Sequence, residues 1–121
     1  MSDPHPPRKR FHHIGLRATE HQPGESYVAA TKVWVTNPNF HPHQIEHLRY
    51  EADSPIAEEF KEAPHVAYEV DDLETHLAGK DVYLEPFDVG EPPFATVAFT
   101  REHGLFVEYM KFMPGRAWHG Q

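Results

Sequence analysis

The chain has 121 residues, enough for one domain with its own core, and it contains no cysteine, which excludes disulfide frameworks and thiolate metal sites. A net charge of −8 with neutral histidines argues against nucleic acid as the main partner, because phosphate contacts need a basic face. No apolar run reaches the length of a membrane span and none follows the early charges, so neither a membrane partner nor a secretory leader is expected, and a soluble cytoplasmic protein is the default. Residues 1–10, with Pro4, Pro6 and Pro7, read as a flexible arm, and Arg8-Lys9-Arg10 as a solvated basic run.

Residues 11–16 are short and apolar and predict a strand. Residues 19–26 hold Pro23-Gly24 and predict a loop. Residues 27–36, rich in β-branched and aromatic side chains, predict one strand or two. Pro38 and Pro42 mark the next loop, and residues 44–51 a further strand. Ser54-Pro55 then reads as an N-cap followed by proline in the first helical turn, opening a short helix to Glu62. The second half gives a strand over 64–70 and a helix capped by Asp71 or Asp72, running to Leu77 and ended by Gly79. Strands follow over 82–87, 94–100 and 105–112, with turns at 90–93 and 102–104. Residues 114–121 read as a tail. About eight strands and two short helices make an α+β chain with one domain over 11–113, in modules of about 11–62 and 63–113.

The two halves echo each other. His13-Ile14-Gly15-Leu16 matches His65-Val66-Ala67-Tyr68, and Ile45-Glu46-His47-Leu48 matches Val107-Glu108-Tyr109-Met110. Each half offers a histidine opening an early strand and a glutamate set between bulky neighbours on a late one. Strand side chains alternate faces, so Glu108 points away from Val107 and Tyr109, into the hollow of a curved sheet. A carboxylate there is costly unless it is paired or binds a metal. Without a cation, Glu46 and Glu108 are expected to repel each other and shift their pKa values upward. Any one of the four residues alone reads as a polar edge group; the repetition at matching positions is what points to a shared site. Most of the eleven histidines must then be surface residues.

At these residues the chain resembles the glyoxalase, bleomycin-resistance and extradiol-dioxygenase proteins, the vicinal-oxygen-chelate superfamily. The resemblance covers roughly residues 11–112 and is carried by Phe11-His12-His13-Ile14-Gly15-Leu16, Asp53-Ser54-Pro55, the run from Pro64 to Glu74, and Phe106-Val107-Glu108-Tyr109-Met110. It implies paired βαβββ modules forming a curved eight-stranded cup around a divalent ion. The implied ligands are His13 rather than His12, His65, Glu108, and Glu46, with His47 as a rival on the opposite face of Glu46's strand. One departure stands out: residues 17–26 lack the periodicity of the first module's long helix, so that helix is truncated. This removes wall material, argues against transferring a glutathione or coenzyme A site, and leaves an apolar sheet surface that a homodimer would cover.

Two imidazoles and two carboxylates suit zinc, nickel, cobalt, iron or manganese, and leave positions for two vicinal oxygens of a small-molecule substrate. The resemblance implies an isomerase or lyase of the glyoxalase or epimerase kind. In it the metal stabilises an enolate and Glu108 or Glu46 acts as the base. An extradiol-type dioxygenase and a non-catalytic binding module of the bleomycin-resistance type remain as alternatives. Trp34, Tyr68, Phe94, Phe99 and Tyr109 are candidates for lining the pocket, each equally suited to the core. His41 and His43 read as surface residues on a proline-rich loop, and His119, in the tail, is given no role.

Overall fold

The computed structural model describes residues 8–121; of the arm expected over 1–10, residues 1–7 lie outside the described residues. Eight strands form one mixed sheet: β1 (Lys9–Arg17), β2 (Ser26–Val28), β3 (Val33–Val35), β4 (Ile45–Tyr50), β5 (His65–Val70), β6 (Asp81–Val89), β7 (Ala95–Glu102) and β8 (Leu105–Phe112). Two short helices, α1 (Glu58–Glu62) and α2 (Leu73–Leu77), accompany it. The order across the sheet is β2-β3-β4-β1-β5-β8-β7-β6. In each half the first strand runs parallel to the last, β1 with β4 and β5 with β8, and the halves meet where β1 runs antiparallel to β5. The sheet curls into a cup, as the resemblance implies, and the order of elements is that of two related modules. The truncation is present as expected: β5 and β6 are joined through α2, whereas residues 18–25 link β1 to β2 without a helix.

Alternation along the strands divides the core into two layers. Val33, Val35, Leu48, Val97, Phe99 and Met110 pack inside the cup. On the convex side of the second module, Val70, Val107 and Tyr109 pack beneath Leu73 and Leu77 of α2. The helix forms there because the Asp72 carboxylate accepts from the backbone N–H of Glu74 at its N-terminus, and its two leucines fall on one face, i and i+4. Both leucines are half-buried, so each contributes less than the roughly 1.5–3 kcal/mol of a fully buried one. The buried Tyr109 hydroxyl is satisfied, donating to Glu102 Oε2 at 2.6 Å and accepting from Lys80 Nζ at 2.8 Å.

Of the one or two strands expected over residues 27–36, two form, β2 and β3, with Lys32 at φ 49° in the turn between them. Three boundaries differ from the sequence reading. β1 begins at Lys9, within the expected arm, where the Arg10 guanidinium lies 3.1 Å from Asp71 and 3.5 Å from Glu69. Ser54-Pro55 does not open α1. The Ser54 hydroxyl donates to the Thr31 carbonyl at 2.6 Å and accepts from the Ile56 N–H, fixing a turn, and α1 starts after Ala57 with no side-chain cap. Finally, residues 114–121 are not a loose tail. Trp118 is 4% exposed and belongs to the core inside the cup, while the Gln121 side chain accepts from Asn37 Nδ2 at 2.9 Å. The last residues therefore reach back to the first module across one end of the cup. None of the described helices is long and apolar enough to cross a membrane.

Candidate metal centre

The register of the four central strands builds the site. Gly15 on β1 is flanked by Glu46 on β4 and His65 on β5. Ala67 on β5 is flanked by His13 on β1 and Glu108 on β8. A small residue thus sits between a histidine and a glutamate twice over, leaving room for each imidazole to lean toward the centre. The need for space is acute at Gly15, where a Cβ would lie 2.0 Å from His65 Cε1.

The structure brings His13, Glu46, His65 and Glu108 together, all buried, with one donor atom from each lying within 4.8 Å of every other. His13 Nε2 lies 3.2 Å from Glu46 Oε1 and 3.3 Å from Glu108 Oε1. His65 Nε2 lies 3.1 Å from Glu108 Oε1 and 3.8 Å from Glu46 Oε1. An ion with bonds of about 2.1 Å sets neighbouring donors about 3.0 Å apart in octahedral and about 3.4 Å apart in tetrahedral geometry; the spacings of 3.1, 3.2 and 3.3 Å fall in that range, and the 3.8 Å between His65 and Glu46 is wider. His13 Nε2 also makes no hydrogen bond: the two carboxylates are near it but off the line of the ring nitrogen. A buried ring nitrogen that lies beside two carboxylates but is hydrogen-bonded to neither is what a metal would satisfy. His47 faces the other way, its ring 5.8 Å from that of His41.

In the absence of an ion the cluster holds positive charge by other means. Burial opposes the imidazolium of His13, but the charges of Glu46 and Glu108 outweigh it and raise its pKa to about 10. Burial pushes the Glu108 carboxyl up, yet the close approach and charge of His13 and His65 hold it at about 2. The upward shift expected from carboxylate repulsion is therefore reversed at Glu108. A cluster that attracts a proton this strongly offers the same place to a divalent cation.

His12 is the residue the sequence reading set aside. The pairing of β1 with β5 shifts register between Phe11 and His13, so alternation breaks and consecutive histidines are both buried. His12 Nδ1 lies 2.8 Å from His13 Nδ1, and its ring stacks on Trp118 at 5.6 Å and 17°. Burial first, then the charge on His13, lowers the His12 pKa to about 4. Neutral His12 can then accept the Nδ1–H of His13, which leaves His13 Nε2 to the cluster.

Above the four residues the cup is mainly apolar, with Thr31, Tyr50, His119 and the unpartnered indole N–H of Trp118 as its other polar lining groups. Burial, then Glu46 and Glu108, raise the Tyr50 pKa, so its hydroxyl keeps its proton and can donate. Of the five aromatic candidates, Phe94 and Phe99 line the cup. Trp34 instead packs on Tyr27, and Tyr68 lies against Tyr109 on the convex side. His41 and His43 stay together on their loop, away from the four. His119 does line the cup, its ring 4.7 Å from that of Phe94. Nothing in the sequence marked it, since its placement depends on the returning C-terminal residues.

No protein-family model matches the sequence, and no curated protein matches it either. Among solved structures, a hypothetical protein from Bacillus halodurans C-125 is similar in fold, with a TM-score of 0.68 at 20% identity. The match covers 91% of this chain and 99% of that one, so the similarity spans the whole sheet.

Proposed function

We propose that the chain is a metal-dependent isomerase or lyase of the glyoxalase or epimerase kind, in the vicinal-oxygen-chelate superfamily, acting on a small substrate with vicinal oxygens. The observation that carries this is the twice-repeated histidine and glutamate pair, four donor atoms within 4.8 Å at the floor of an apolar cup. A bound divalent ion of zinc, nickel, cobalt, iron or manganese would supply Lewis-acid polarisation of a carbonyl oxygen. His13 and His65 would hold the ion through Nε2, and the two carboxylates would balance its charge. One glutamate then takes the proton from the carbon beside the carbonyl and returns it to the neighbouring or same carbon. Glu46 is the freer of the two, since His65 approaches it only to 3.8 Å while Glu108 has both histidines within 3.3 Å. The proposal includes a homodimer in the cytoplasm.

The test is proton exchange. With metal-loaded protein, hydroxyacetone in deuterium oxide is expected to gain deuterium beside its carbonyl, and Glu46→Gln and Glu108→Gln to slow this by about 100-fold or more. Full exchange and full metal content in both variants would sink the mechanism. The scarcity of polar groups on the walls favours one second reading, a cup that binds a small molecule without transforming it. Ligand uptake with no exchange would select it. Four protein donors, rather than two histidines and one carboxylate, weigh against an extradiol dioxygenase.

A further inference from the structure

The walls of the cup restrict what it can hold. Val33, Val35, Leu48, Val97 and Met110 pave the interior, and Trp118 closes one end. Among the described residues that line the cup there is no lysine, arginine, asparagine or glutamine. Cations nearby are already paired: the buried Lys61, 5.6 Å from the Tyr50 ring but outside the lining, meets Glu58 at 3.6 Å. Arg49 forks onto Glu25 at 2.7 and 2.9 Å, Arg101 meets Glu59 at 2.5 Å, and Lys32 meets Asp53 at 2.5 Å. The free space between the walls is about 60 Å³, room for a few water-sized groups.

Charge balance points the same way. Glu46 and Glu108 match one divalent ion and leave no surplus positive charge. A carboxylate or phosphate on the ligand would enter a low-dielectric space with no counter-charge, at a cost of several kcal/mol or more for an unpaired buried ion. Tyr50 and His119 can hydrogen-bond a neutral oxygen but cannot neutralise an anion.

The geometry points to a ligand that is slim, electrically neutral and apolar in body, carrying its two vicinal oxygens at one end and no phosphate or carboxylate. This rests on the proposed function only in placing those oxygens at the four-residue cluster; the apolar, cation-free walls stand apart from it.

Two measurements separate the two ideas. The first uses the full chain loaded with cobalt, with binding read from visible absorption. Catechol is expected to bind at least about tenfold more tightly than 3,4-dihydroxybenzoate, and hydroxyacetone more tightly than its phosphate. Equal or tighter binding of the charged member of each pair would overturn the inference. Leu84→Lys, which adds a cation to a half-exposed wall position, is expected to narrow the gap, and an unchanged gap would count against the charge argument. The second measurement uses metal-free protein, with 2-propanol and acetate, two probes of similar small size, and the methyl resonances of Val97 and Met110 as the readout. 2-Propanol shifting them while acetate does not supports the inference even if the chain takes up no cobalt and the metal reading fails. Acetate acting as strongly as 2-propanol, or neither entering, overturns it.

Discussion

Gly15 and His12 bear on how the four clustered side chains are held, and neither would touch an ion. A methyl group at Gly15 would occupy the space of the His65 ring, 2.0 Å from Cε1, and the ring would have to swing out of the cluster. His12→Phe keeps the stack on Trp118 but removes the nitrogen 2.8 Å from His13 Nδ1. Gly15→Ala and His12→Phe are both expected to weaken metal binding by about 10–100-fold, the usual loss when the groups supporting a ligand are removed. Chelator competition, with circular dichroism to check folding, measures this, and wild-type affinity in both would mean that neither residue orients a ligand. His13, Glu46, His65 and Glu108 were legible from sequence because the pattern occurs twice at matching strand positions. His12 was not legible: two adjacent strand residues should face opposite ways, and only the register shift between Phe11 and His13 turns both inward.

Most strands were legible from their composition, whereas segments whose conformation is set by distant contacts were not. The Ser54-Pro55 pair carries a helix-start signal, but its hydroxyl is taken by the Thr31 carbonyl in the turn between β2 and β3. The last eight residues carry proline, glycine and no periodicity, and they are ordered by what they land on. Trp118 meets His12, Phe94 and His13 at ring-centre distances of 5.5–5.7 Å, so the segment packs on both the core and the support of a ligand. Trp118→Ala is expected to cost about 3–5 kcal/mol of stability, as a large buried aromatic does. Urea unfolding monitored by circular dichroism would show this, and a loss below about 1 kcal/mol would mean the segment is only draped on the cup.

At the scale of the whole molecule, the two modules are unequal. α2 covers the convex side of the second, while the first has only residues 18–25 and the turn Pro38–Phe40 near Ile45 and His47. Phe40 stands there 79% exposed. A second copy of the chain covering this face is expected, with a dimer in sedimentation equilibrium that Phe40→Asp weakens. A monomer at every concentration would remove the dimer from the proposal and leave the cup intact.

The central claim is that four buried residues from two related modules hold one ion. It is tested most directly by mass-spectrometric metal analysis of untagged protein beside the His13→Ala/His65→Ala double variant. The expected result is close to one transition-metal ion per chain in the parent and none in the variant. A parent protein that carries no metal and takes none up on reconstitution would contradict the claim, and the cluster would then be a buried polar network balanced by the proton on His13.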